Sequence, residues 1–340
     1  MQLPARIGKY QLVEFLGGGM SHVYRAHDTV LNRTVALKIL TEAGCADSEA
    51  KARFLQEARM AGGIVHDNII SVYDFGEEQN KPYIVMEFLR GESLRDAIKN
   101  NQTGDLKNKL TLAIQLAHAL HYIHDKKIIH RDIKPENLHI DAAGKMKLMD
   151  FGIAKSEGVQ LTRAGFTLGT PYYMAPEQVL GQKLTHLADI YAFGILLFEL
   201  LCGQRPIVAD SIEKIFMSIL REPLNLVPLE QAGVSPEIRG VVARCTAKNP
   251  AERYPTMSDV AGVLSHLMAG KQPAATAAPS GRTATVAAAA APPELPAFMK
   301  RLPAQLQTQT GLMLVVGGLV VISFLVMYLL LTLVSGGRIW

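Results

Sequence analysis

Near residue 90 the spacing of apolar residues changes, and that change limits the fold more than any other feature of the chain. Upstream, "KYQLVEFL", "SHVYRAHD", "RTVALKIL", "ISVYDFG" and "PYIVMEFL" are short β-prone runs bounded by turn residues. One helical stretch interrupts them: "EAKARFLQEARMAGGI" sets Phe54, Ala58 and Ala61 on one face. Downstream, "LTLAIQLAHALHYIHDK" and "ADIYAFGILLFELLCG" carry helical spacing instead. Strands first and helices after predict an α+β protein in two lobes, a β-rich N-lobe over about 10–89 and a helical C-lobe over about 90–268.

Beyond residue 270 the composition changes again. Residues 271–310 are rich in Ala and Pro and low in complexity, which reads as a tether rather than a fold. As a flexible coil those residues would span roughly 35 Å. Residues 311–334 then run without a single charge. As a helix this run would be about 36 Å long, enough to cross a hydrocarbon core of about 30 Å with some tilt. A buried core helix of that length would ordinarily keep a polar face, so one membrane-spanning helix is expected, followed by a short tail at 335–340. Lys300 and Arg301 precede the run and Arg338 alone follows it, which places the N-terminal bulk on the cytoplasmic side. The first twenty residues hold no apolar run long enough for a signal peptide. The expectation is a single-pass protein of the inner membrane, with no room beyond the span for an external sensor domain.

A formal net charge of +4, with Lys and Arg scattered, gives no argument for nucleic acid as a partner. Cys45, Cys202 and Cys245 stand far apart without a CxxC pair, which fits free thiols in a reducing compartment and offers no metal site.

The charge-dense octapeptide "HRDIKPEN", from His130 to Asn137, is wedged between apolar Ile128-Ile129 and Leu138. Charged groups held by a rigid apolar frame suit a reaction better than a solvated surface. Phosphoryl transfer from ATP needs something to cover the phosphates, neutralise them, hold magnesium and orient an attacking hydroxyl. "LGGGMSHVY", from Leu16 to Tyr24, joins two expected strands, and its glycines would let backbone N–H groups approach phosphate oxygens. A Gly-rich hairpin turn would look the same. "VALK" ends an alternating strand on Lys38, and Glu57 follows 19 residues later on the expected helix, where the two could pair over the α/β-phosphates. Asp132 could accept or orient the hydroxyl proton, Lys134 could steady the γ-phosphate, and Asn137 could offer an amide oxygen to the metal. "DFG" at Asp150 adds a carboxylate for that metal, after "KMKLM", which reads as a strand.

With "VALK", "HRDIKPEN", "DFG", "GTPYYMAPE", "DIYAFG" and "RYPT" in this order, the chain resembles the eukaryotic-like protein kinase superfamily over about residues 10–267, and within it the bacterial Ser/Thr kinases. The resemblance implies a bilobal kinase fold with ATP and Mg2+ (Mn2+ as a substitute) in the cleft. It implies Leu16, Gly17, Gly18, Gly19, Val23 and Ala36 around the nucleotide, Met86 as gatekeeper, and a hinge from Glu87 to Leu89 hydrogen-bonding adenine. It implies Asp132, Lys134 and Lys38 as catalytic residues, Glu57 as the partner of Lys38, and Asn137 and Asp150 as metal ligands. Asp189 resembles the aspartate that braces the "HRD" turn, Glu177 the partner of Arg253, and His130 and Phe151 members of an apolar spine, so His130 is not expected to be a base. One departure stands out. Relatives carry L-G-x-G-G-M-[GS]-x-V where this chain has the shorter "LGGGMSHV", which predicts weaker or altered covering of the phosphates.

Lys134 two residues after Asp132, and Thr170 in "GTPYYMAPE", favour Ser/Thr over Tyr as acceptor on the same resemblance. Arg131 beside Asp132 calls for an anion, and phosphorylated Thr162 or Thr167 of the activation segment could supply it. Trans-autophosphorylation within a homodimer would place it there. Two other readings meet the same residues. A membrane-anchored pseudokinase scaffold should have lost one of Lys38, Glu57, Asp132, Asn137 or Asp150, and all five are present. A small-molecule kinase would have little use for the full "GTPYYMAPE" segment.

Overall fold

The computed structural model describes residues 6–150 and 171–270. Six antiparallel strands make the first sheet: β1 (Arg6–Ile7), β2 (Tyr10–Gly18), β3 (Ser21–Asp28), β4 (Arg33–Leu40), β5 (Val72–Glu78) and β6 (Lys81–Glu87), in the order β1-β2-β3-β4-β6-β5. Residues directly opposite in an antiparallel pair share a face. The register sets Val23 against Lys38 and Ala36 against Met86, so all four point to one side. Tyr24 against Leu37, and Leu37 against Val85, point to the other. There they join Tyr10, Leu12, Ala26, Val35 and Ile39 in an apolar cluster.

The helical interruption of this lobe is two helices. Helix α1 (Glu42–Ala46) is capped by Thr41, and α2 (Ser48–Ala61) by Asp47, whose side chain accepts from the N–H groups of Glu49 and Ala50. That cap supplies partners for the first turn of α2 at the point where the chain bends. Phe54 and Ala58 of α2 then pack on Leu40 and Ile84 of the sheet.

The second lobe is helical, as its period predicts. It holds α3 (Leu94–Lys99), α4 (Leu106–Asp125), α5 (Pro176–Val179), α6 (His186–Cys202), α7 (Ile212–Arg221), α8 (Val227–Gln231), α9 (Pro236–Cys245) and α10 (Met257–Met268). Helix α6 is buried on every side from Ala188 to Leu201, which is why its sequence is apolar around the full turn. Gly194 is what lets α9 approach it: a Cβ there would lie 2.6 Å from the Cys245 side chain. A small sheet of β7 (Gly91–Ser93), β8 (Leu138–Asp141) and β9 (Met146–Leu148) lies on the same lobe. Its last strand ties the lobes together. Ile70 N–H donates to Leu148 O at 2.9 Å, Leu148 N–H to Asn68 O at 2.8 Å, and Asn68 Nδ2 to Met146 O at 2.9 Å.

Phe151, Gly152, Thr162, Thr167 and Thr170 lie outside the described residues, as do residues 271–310 and the apolar run 311–334. Among the described residues no helix is long and apolar enough to cross a membrane.

Candidate active site

Lys38 is another point at which the two lobes meet. Its Nζ lies 2.8 Å from Glu57 Oε1 on α2 and 2.8 Å from Asp150 Oδ1, which follows β9. One cation therefore joins residues 19 and 112 positions away. Burial acts to lower the Lys38 ammonium, yet Asp150 and Glu57 outweigh it and the net shift is upward. The two carboxyls are pushed apart. Burial and the charge of Asp150 raise Glu57 against the pull of Lys38, whereas Lys38 holds Asp150 below the usual carboxylate range. Asp150 has its side chain half open to solvent, at 53%. It also sits at φ +34, a conformation a non-glycine residue adopts only when its surroundings impose it.

Asn137 bonds Asp132 on one side and Met149, the residue before Asp150, on the other. Asn137 Nδ2 donates to the Asp132 carbonyl at 2.8 Å and to Asp132 Oδ2 at 2.9 Å. Its backbone carbonyl accepts from Met149 N–H, the residue before Asp150, at 2.8 Å. Lys134 Nζ reaches Asp132 Oδ2 at 2.8 Å. With its amide nitrogen turned to Asp132, Asn137 has its side-chain oxygen for another partner. Asn137 and Asp150 together present the hard oxygen donors that suit Mg2+ bound largely through substrate phosphates.

The backbone at the start of the octapeptide is held by Asp189 on α6. The N–H groups of His130 and Arg131 each donate to its carboxylate at 2.8 Å, and His124 Nε2 lies 2.8 Å from the same group. Arg131 at φ +68 turns its own N–H beside that of His130. Burial works to raise the Asp189 carboxyl, but His124, His130 and these backbone donors prevail and hold it low. His130 itself is fully buried, which depresses its imidazole despite Asp189 and Asp132 nearby. Its ring lies between the Met149 carbonyl, 3.3 Å from Nε2, and the Asp132 N–H, 3.4 Å from Nδ1. Below it, Arg253 grips Glu177 through two bonds, at 2.7 and 2.8 Å.

The sheet face shared by Val23, Ala36, Lys38 and Met86 is the one that meets Glu57 and Asp150. Gly17 and Gly18 lie in the β2–β3 hairpin at φ +135 and +138, which favours glycine, and Gly19 follows at its tip. Leu16 is exposed just before them. Glu87, at the end of β6, donates its N–H to Ser71 O at 2.9 Å, and Leu89 lies two residues on.

Several participants carry no sequence signal. Lys147 on β9 bonds Glu87 Oε2 at 3.0 Å, pinning the hinge to the second lobe. Arg95 on α3 joins Glu136 of the octapeptide, at 2.9 Å, to buried Glu199 on α6 and to Tyr173, which also bonds Glu199. Each is an ordinary charged residue whose partner stands tens of positions away, so no local pattern marks it.

A family model described as the protein kinase domain matches residues 10–265. The chain belongs to the protein kinase family. Among curated relatives it is 39% identical over 255 residues to the serine/threonine-protein kinase PrkC of Bacillus subtilis, covering 74% of this chain and 39% of that one. It is 35% identical over 300 residues to PknA of Mycobacterium tuberculosis, covering 83% and 69%, and 35% identical over 274 residues to PknB of Mycobacterium leprae, covering 78% and 44%. The chain thus spans well under two thirds of the length of PrkC and PknB. The kinase family also accounts for the architecture, a β-rich lobe over a helical one.

Proposed function

We propose that the chain is an ATP-dependent serine/threonine protein kinase, and that one observation carries this reading: Lys38 joins Glu57 to Asp150 across the cleft while Asn137 bonds Asp132 and the backbone N–H of Met149, next to Asp150. Asp132 faces the acceptor and takes up or orients its hydroxyl proton. The acceptor oxygen forms a bond to the γ-phosphorus as the bond to the β,γ-bridging oxygen breaks, and ADP leaves with the charge. Lys134, 2.8 Å from Asp132, balances charge on the transferring group. Lys38, fixed by Glu57, meets the α/β-phosphates. Asn137 and Asp150 would hold Mg2+, which would neutralise phosphate charge. The glycines of the β2–β3 hairpin cover the phosphates, and the Glu87–Leu89 hinge receives the adenine.

Protein serine and threonine hydroxyls are the acceptors, in line with the relatives named above. Thr162 or Thr167 is the site of trans-autophosphorylation between two copies, and the apolar run 311–334 anchors the kinase to the cytoplasmic face of a membrane. The pseudokinase scaffold is disfavoured, because the five residues it would have lost are present and joined by the contacts above. Radiolabelled ATP with a generic basic protein tests the reading. Wild type should label serine or threonine, and Asp132→Asn should fall by about 10²–10⁴-fold, the size of a general-base contribution. Equal labelling by both would refute it.

A further inference from the structure

The tip of the glycine-rich hairpin is held by an attachment outside the cleft. The Met20 carbonyl accepts two hydrogen bonds from Thr41, from its N–H at 3.0 Å and from its Oγ1 at 2.9 Å. The same hydroxyl accepts from Gly44 N–H at 3.1 Å as the cap of α1. Gly44 is buried and lies outside the left-handed region, so turn geometry does not require a glycine there. Space does: a Cβ at Gly44 would sit 2.5 Å from the Met20 carbonyl oxygen. Two residues on one corner are therefore shaped to receive the hairpin tip. The β3–β4 ladder runs up to this contact, with Ser21 paired to Leu40 immediately before it.

We infer that Thr41 and Gly44 form a clasp that positions the shortened hairpin over the nucleotide phosphates. This inference rests on the nucleotide site proposed above. A loop one residue shorter has less reach, so the place of its tip decides whether its N–H groups meet the phosphates. A glycine-rich loop also has most to lose in entropy when a ligand orders it. Pinning the tip moves that ordering from the binding step to folding, and pre-organisation raises affinity. Thr41 is a positioning residue on this account and touches no substrate.

The test compares Thr41→Val, which keeps shape but removes the hydroxyl, with Thr41→Ser, which keeps it, and with Gly44→Ala, which pushes on the Met20 carbonyl. The full chain in detergent micelles is titrated with a non-hydrolysable ATP analogue and Mg2+, and hydrogen exchange of the hairpin amides is followed without nucleotide. Thr41→Val and Gly44→Ala should each bind about five-fold more weakly, the size of one net hydrogen bond. Their hairpin exchange should quicken, and KM for ATP should rise by more than kcat falls. Thr41→Ser should match wild type in all three. Loss of the α1 cap alone would lower the melting temperature without moving the affinity. Faster exchange with unchanged or tighter binding would overturn this inference and leave the site reading intact. A wild-type chain that bound no nucleotide would overturn the site reading, and this inference with it.

Discussion

Lys38 shows how one residue can organise a site that the sequence scatters over more than a hundred positions. Its ammonium meets the carboxyl groups of Glu57 and Asp150 at once and holds that of Asp150 below the usual carboxylate range. Replacing it with Met removes the cation and leaves Glu57 and Asp150 facing each other. Phosphoryl transfer should then fall by about 10²–10³-fold, as for other lost transition-state donors, and the melting temperature should fall too, because the largely buried Glu57 loses its cation. Steady-state assays beside thermal unfolding check both. His130 gives a pH prediction. Burial depresses its imidazole, and His66 and His139 shift the same way. The folded state therefore binds fewer protons than the unfolded state below about pH 6.5, the ordinary histidine value. Stability from these groups is complete above that pH and is lost as pH falls toward their lower folded values. Thermal unfolding should show a melting temperature that drops between pH 7 and 5, with a shallower drop in His130→Phe.

The elements set these residues by devices of differing visibility. Helix α6 supplies Asp189 to the catalytic loop from inside the core, and its apolar composition makes it plain in the sequence. The Arg253–Glu177 pair, buried beneath α5, fixes that helix to the turn before α10. Removing one partner strands a buried charge, so Glu177→Ala and Arg253→Ala should each cost about 3–5 kcal/mol in chemical denaturation. A double variant that cost the sum of the two would contradict the pairing. Gly194→Ala should also destabilise, by about 1–3 kcal/mol, because its methyl group would enter Cys245 on α9. Long alternating strands and α4 and α6 were legible from their periods. The division between α1 and α2 was not, because five residues are too few to show a period and Asp47 acts as a cap only once the chain bends there. Strands β7, β8 and β9 are three or four residues long and equally silent, apart from the run that gives β9.

Across the whole molecule, contiguous motifs named positions and the fold supplied their neighbours. "VALK", "HRDIKPEN" and "DFG" mark Lys38, Asp132, Asn137 and Asp150 because each motif is continuous in the chain. The Lys147–Glu87 and Arg95–Glu136–Glu199 contacts, and the Thr41–Met20 clasp, depend on meetings between distant segments, and single residues of common types do not announce them. The anchoring proposal belongs to this scale too. Deleting residues 311–334 should move the protein from the membrane to the soluble fraction while labelling of a soluble substrate persists, as fractionation and a kinase assay would show. The central claim is that Lys38, Glu57, Asp150, Asn137 and Asp132 act as one phosphoryl-transfer centre for protein hydroxyls. Phosphosite mass spectrometry tests it most directly, on the phosphatase-treated chain incubated with ATP and Mg2+ beside its Asp132→Asn variant. The account predicts new phosphoserine or phosphothreonine in the wild type, with sites among Thr162 and Thr167, and none in the variant. Phosphorylation equal in both, confined to tyrosine, or absent from the wild type would contradict it.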